Sequence, residues 1–298
     1  MNYKPIIIVA GEPNSIFFEI FFKSLRIKKF KSPIILIASY NLIKLQMKKL
    51  NINKKIRLIK LLDLEDANLN NKKINLIDVP YEQKKAFDKI SNKSNDYIKK
   101  SFDIALKILN KKITTKFING PISKKFFLKK KYLGITEYLA SKTKTKNFAM
   151  LIYNKKLSVC PLTTHLPIKK VHQKINKNII KEKIKLIDIF FKKHLKKKAK
   201  IAATGLNPHC ESIDIFDEDE KIIKPAIKTL NKSNFKVSGP FAATESSRVE
   251  QGVVDRFKIA KVSTREGLHV SVLPIVKLSS RPTGFKTKGT SPKCLTNS

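Results

Sequence analysis

Lys200-Ile-Ala-Ala-Thr-Gly-Leu-Asn-Pro-His-Cys-Glu211 is the stretch whose reading decides the fold. The apolar run Ile201-Ala202-Ala203 reaches Gly205 and stops at Asn207-Pro208. Proline has no N–H for a ladder and glycine permits unusual backbone angles, so this is a short buried strand ending in a turn. His209 then stands just beyond the carboxyl end of a strand, where open α/β sheets bind their ligands. Forty-four positions earlier (209 − 165) the pattern recurs, with Leu157–Thr164 strand-like and His165-Leu-Pro167 following. Two histidines placed in this way can converge on one metal ion, since neutral imidazole is the commonest metal ligand. A histidine after a strand also serves as a cap or hydrogen-bonding residue, and spacing alone favours that plainer role.

Outward from this stretch, apolar runs alternate with amphipathic segments. Strands are predicted at Pro5–Ala10, Pro33–Ala38, Ile56–Leu62, Ile74–Val79, Lys116–Asn119 and Phe235–Gly239, and a hairpin joins Phe148–Tyr153 to Leu157–Thr164 through Asn154-Lys155. Helices are predicted after Ser15, up to Lys49, over Gln83–Asn110, from Gly134, over Lys169–Leu195 and over Asp219–Asn231. His172 and His194 fall near the polar side of the Lys169–Leu195 helix and read as solvated. The acidic patch Asp214–Glu220 could attract a cation, but a solvated loop balancing lysines is the simpler reading. Such alternation argues for an α/β fold with a mostly parallel sheet covered by helices on both faces. No Gly-x-Gly-x-x-Gly occurs, which disfavours a standard Rossmann cofactor site.

The chain has 298 residues, enough for one large α/β unit or two lobes. Its 63 basic against 23 acidic residues give a net charge of +40. That excess suggests an anionic partner. The lysines, however, are spread over nearly every segment without aromatic interleaving or a zinc-finger spacing, so nucleic acid is not the expected partner despite the charge. Cys160, Cys210 and Cys294 are widely spaced, with no Cys-x-x-Cys pair, as in a reducing cytoplasm. The first strand begins directly after the start and no apolar run approaches the ~20 residues of a membrane span. A cytoplasmic protein without a membrane segment is expected.

Thr163-Thr-His-Leu-Pro167 and Gly205-Leu-Asn-Pro-His209 resemble the two central signatures of the 4-hydroxythreonine-4-phosphate dehydrogenase family of vitamin B6 biosynthesis. Gly11-Glu-Pro13, Gly120-Pro-Ile-Ser-Lys124, Gly134-Ile-Thr-Glu-Tyr138 and Gly239-Pro240 follow the family's order, so the resemblance covers residues 5 to about 243. It implies a two-lobed fold similar to isocitrate and isopropylmalate dehydrogenases, which bind NAD without the glycine fingerprint and work as homodimers. It also implies a divalent metal (Zn, Mg or Co) on His165 and His209, and substrate phosphate on Thr136 and Lys124; catalytic and NAD-contacting residues are not assigned. The implied reaction is the NAD- and metal-dependent oxidative decarboxylation of 4-phosphooxy-L-threonine to 3-amino-2-oxopropyl phosphate, on the way to pyridoxine 5'-phosphate. Ile135 replaces a family histidine that contacts phosphate, and isoleucine donates no hydrogen bond. A related hydroxy-acid dehydrogenase with another phosphorylated substrate, or a family member without activity, is the alternative.

From about Glu245 the text changes. Valine occurs five times in residues 1–247 but seven times in 248–298, and arginine two times against four, which marks a compositional break. The family's later motifs, among them the one carrying a third metal-binding histidine, are absent, and His269 lies in Gly-Leu-His-Val. The expected organisation is an N-terminal α/β lobe over 1–130, a metal-site lobe over 131–245 and an atypical tail over 246–298. The tail reads as a frameshift, a chimeric junction or a diverged C-terminus. Two histidines alone make a weak metal site unless Glu211, Cys210, water or a partner subunit completes it.

Overall fold

The structure, a computed structural model, describes residues 3–65, 67–129, 131–153, 158–207, 209–213, 215–242 and 275–279. The chain divides into two compact units, Met1–Lys144 and Thr145–Ser298.

In the first unit β1 (Ile6–Val9), β2 (Ile34–Ala38), β3 (Ile56–Leu58), β4 (Ile74–Asp78) and β5 (Lys116–Asn119) form one sheet in the order β3-β4-β2-β1-β5. Every pair in it is parallel. Side chains alternate across a strand, so a sheet covered on both faces needs apolar residues at every position. The central strands meet that demand. Ile7, Val9, Ile35 and Ile37 enter one core, where α3 (Asn95–Asn110) contributes Ile98, Phe102 and Ala105. Ile8, Leu36, Ala38 and Leu76 enter the other, against α1 (Phe17–Ile27) and α2 (Tyr40–Lys49). Phe17, Phe18, Phe21 and Phe22 of α1 are all buried, each contributing on the order of 2 kcal/mol. The helix α4 (Ile135–Lys142) adds Tyr138 to the α3 side, where burial first, then Asp103 and Tyr132, push its phenol up to about 12.

The helix predicted over Gln83–Asn110 is shorter than its periodicity suggests: only Asn95–Asn110 is α-helical. The preceding residues are drawn away from helix geometry by long-range bonds. Asn14 Oδ1 accepts from Gln83 Nε2 at 3.0 Å and from the Asp88 N–H at 2.9 Å, and Gln46 Nε2 donates to the Ala86 carbonyl at 2.8 Å.

The second unit holds a mixed sheet in the order β6-β9-β7-β8, with β6 (Ser158–Pro161), β7 (Lys200–Thr204), β8 (Lys236–Phe241) and β9 (Ile275–Ser279). β7 and β8 are parallel, and β9 runs antiparallel to both β6 and β7. The helices α5 (Lys177–Phe190) and α6 (Lys224–Lys232) share a core with β6, β7 and β8 through Ile184, Ile187, Ala226, Ile227, Cys160, Ile201 and Val237. The helix predicted from Lys169 starts later because Asn176 caps it, its side chain accepting from the N–H groups of Asn178 and Ile179 at 3.0 Å. Ile152 and Val159 form a single antiparallel bridge in place of the predicted hairpin, whose turn at Asn154-Lys155 lies outside the described residues.

Cys160 is fully buried in this core, and burial pushes its thiol up to about 11 although the Lys183 ammonium pulls it back. The thiolate is the reactive form, so Cys160 is expected to resist iodoacetamide at about pH 8 in the folded chain and to react in denaturant. Peptide mass mapping after each treatment checks this; equal labelling in both would show that the β6 side of the core opens readily.

Candidate functional site

β6 and β7 are both antiparallel to β9, which makes them parallel to each other with their carboxyl ends at one edge of the sheet. They lie two strand positions apart, roughly 10 Å. His165 follows the end of β6 and His209 the end of β7, and both are exposed. The topology thus brings the two predicted ligands to one sheet edge. β9 begins at that same edge, with Ile275 paired to Pro161 and Val276 to Ala203.

The backbone at both places is unusual. His165 has φ +56° and Cys210, directly after His209, has φ +61°. Left-handed geometry costs a side chain roughly 1–2 kcal/mol. The other non-glycine residues with positive φ, such as Asn51, Lys112 and Asn234, follow the ends of helices, where this conformation is the ordinary terminator. His165 and Cys210 have no such role. Local backbone strain collects at functional loops.

The loop carrying His209 is held from inside the protein. Asp219 is fully buried, and its carboxylate accepts from the Leu206 N–H at 2.8 Å, the Asn207 N–H at 3.0 Å and Asn207 Nδ2 at 3.1 Å. A Cβ on Gly205 would come within 2.6 Å of Cys210 Sγ and 2.8 Å of Asp219 Oδ1, so only glycine lets the turn close over the carboxylate. Asp217 organises the next turn by accepting from the N–H groups of Ser212, Asp219 and Glu220. The acidic patch is therefore neither a solvated loop nor a cation trap at these two positions. Its carboxylates are used on backbone N–H groups, and Asp214 lies outside the described residues.

In the first unit the loops after β1 and β5 interlock. The Gly120 N–H donates to the Val9 carbonyl at 2.7 Å and the Glu12 N–H to the Pro121 carbonyl at 2.8 Å. Glu12 is 3% exposed; its carboxylate accepts from Ser94 Oγ at 2.9 Å and the Asn14 N–H at 3.3 Å. The Gly11-Glu-Pro and Gly120-Pro motifs therefore lock two strand ends together. Lys124 is exposed at the start of a π-helical turn capped by Ser123, and Thr136 is half-buried in the first turn of α4. Ile135 packs against the α3-side core. His172 and His194 are exposed, the latter against the ring of Phe190.

The donor chemistry of His165 and His209 suits a divalent metal. Among the described residues no group of three His, Cys, Asp or Glu side chains gathers around one point. His269 lies outside the described residues. Sequence reasoning missed Asp219 and Glu12 as the residues that hold these loops; Gly205 and Gly11, too constrained for open turns, were the available signals.

Comparison with known proteins accords with this arrangement. Residues 29–249 match the family model of the pyridoxal phosphate biosynthetic protein PdxA. A 4-hydroxythreonine-4-phosphate dehydrogenase of Sulfurihydrogenibium is 38% identical over 142 residues, covering 46% of this chain and 44% of that relative. The D-threonate 4-phosphate dehydrogenase of Salmonella typhimurium is 29% identical over 251 residues, covering 80% of this chain and 75% of the relative. The match to the Sulfurihydrogenibium protein thus spans less than half of that protein's length. The crystal structure of 4-hydroxythreonine-4-phosphate dehydrogenase from Klebsiella pneumoniae superposes with a TM-score of 0.72 at 25% identity, over 85% of this chain and 79% of that one. Since the family model spans well over half of the chain and includes both histidine loops, the chain belongs to the PdxA family.

Proposed function

We propose that this chain is an NAD-dependent dehydrogenase that oxidises 4-phosphooxy-L-threonine and releases carbon dioxide to give 3-amino-2-oxopropyl phosphate. The observation that supports this reading is that the strands preceding His165 and His209 end at one sheet edge, each followed by a loop bearing left-handed backbone, inside the stretch matched by the family model. His165 and His209 would hold a zinc, magnesium or cobalt ion through neutral imidazole nitrogens. When bound, the metal supplies Lewis acidity toward a substrate hydroxyl and the carbonyl it becomes. Asp219 would keep His209 in place by fixing the turn before it. The ammonium of Lys124 and the hydroxyl of Thr136 would contact the phosphate with charge-assisted and neutral hydrogen bonds. Like the enzymes it resembles, the protein is read as a homodimer of the cytoplasm.

A second substrate, D-threonate 4-phosphate, is favoured by one observation. The Salmonella typhimurium relative of that name aligns over 80% of the chain, against 46% for the Sulfurihydrogenibium relative. NADH formation from each compound, with and without zinc or magnesium, separates the two. Turnover is expected to depend on metal and to fall about a hundredfold or more in His209→Ala, with the fold retained. Metal-independent turnover unchanged by that substitution would overturn the assignment.

A further inference from the structure

At the opposite edge of the first unit's sheet, where its strands begin, three loops surround a cavity of about 400 Å³. Each brings a lysine pair to the rim: Lys28-Lys29 after α1, Lys54-Lys55 before β3 and Lys72-Lys73 before β4. The floor is apolar, made by Phe21 and Leu25 of α1, Phe30, Ile34 at the start of β2 and Ile74 at the start of β4. Asn71 holds the wall rigid. It accepts from the Ile34 N–H at 2.9 Å and donates to the carbonyls of Phe30 and Ser32, both at 2.9 Å.

No carboxylate lines this cavity, and none of the six rim lysines takes part in an ion pair among the described residues. Elsewhere on this basic chain lysines do find acids, as at Lys23–Glu19 and Lys111–Glu65. Three dilysine loops around an apolar floor are therefore not balanced from within, and the cavity falls in the size range of small-ligand sites, about 300–1,000 Å³. Dispersed lysines alone attract any anion weakly; an apolar floor beneath them selects one that also carries an apolar body. We propose that this cavity is a second ligand site, taking a small amphipathic anion whose apolar part lies on Phe21, Leu25 and Phe30 and whose phosphate or carboxylate head meets the lysine rim. The site is separate from the loops at the carboxyl ends of the strands and goes beyond the dehydrogenase reading.

Titration calorimetry on the full chain with dodecyl phosphate, laurate, dodecanol and inorganic phosphate tests it. Dodecyl phosphate or laurate is expected to bind with one equivalent saturating, and whichever is tighter identifies the head group. Lys54→Glu/Lys72→Glu, on the exposed rim, is expected to weaken that binding by about tenfold or more, with an unchanged circular dichroism spectrum. Phe30→Ser should weaken it without altering its salt dependence. Binding of inorganic phosphate as tightly as of dodecyl phosphate would overturn the proposal by showing only counter-ion attraction. Equal binding of dodecanol, or many weak equivalents, would overturn it as well.

Discussion

Asp219→Ala is expected to lower the unfolding free energy of the second unit by about 3 kcal/mol, because charged hydrogen bonds contribute about 1.5–3 kcal/mol each and do not add fully. The carboxylate is fully buried and accepts three hydrogen bonds from two consecutive residues of the Gly205–Asn207 turn. Alanine leaves two backbone N–H groups without an acceptor in a place that water reaches poorly. Asp219→Asn keeps the volume and one acceptor oxygen, so its loss should be about half as large. Urea unfolding followed by circular dichroism reads the difference as a shift in midpoint at constant slope. A loss below about 1 kcal/mol for alanine would mean that the turn holds its shape without the carboxylate. The substitution would then tell against Asp219 as the support of His209.

Gly120→Ala should be more damaging still, costing upwards of about 4 kcal/mol or preventing folding. A Cβ there would stand 2.0 Å from the Ala10 carbonyl oxygen and 2.7 Å from Phe17 Cδ2. The oxygen is backbone at the end of β1, and the ring is the buried side chain of the first residue of α1, so neither can move without shifting the strand end or the helix. Gly11 faces the same contact from the other side, with φ +78° and a Cβ position 2.3 Å from the Pro121 oxygen. A control lies three residues on. Ser123 caps the following turn through the Phe126 N–H at 3.2 Å, and Ser123→Ala should cost only about 1 kcal/mol. Thermal melting of the two variants side by side checks the contrast. Comparable midpoints would show that the two loops part more easily than their geometry suggests.

The parallel first sheet was legible because its central strands β1 and β2 are apolar at every position, a pattern that both buried faces require. The histidine loops were legible too, since proline and glycine punctuate them and the strand ends define where they stand. Three things were not. Helix periodicity over Gln83–Ser91 is real, but Asn14 and Gln46, far away in sequence, take over the backbone groups a helix would need. Asp219 looked like one acid among several in Asp214–Glu220, and only its burial against Leu206 and Asn207 separates it from its neighbours. The strand β9 lies in the tail that departs from the family's motifs. Its antiparallel place between β6 and β7 depends on pairing across the sheet, which no local pattern encodes.

That central strand also sets an order of events during synthesis. Val276 pairs with Ala203 across a separation of 73 residues (276 − 203). Contacts so distant along the chain are made late, because the loop between them must close first. On the ribosome, β6 and β7 emerge well before their shared partner, and until Ile275–Ser279 follows them they face each other across an empty lane. Such unpaired backbone is the kind of edge that recruits a neighbouring chain. The first unit has a longer separation of its own, since Ile6 pairs with Lys116 across 110 residues (116 − 6), but there β5 adds on the outer side of β1. Within one polypeptide, then, the late strand of the amino-terminal sheet adds at an edge, while in the half bearing both histidines β9 must enter a lane between β6 and β7.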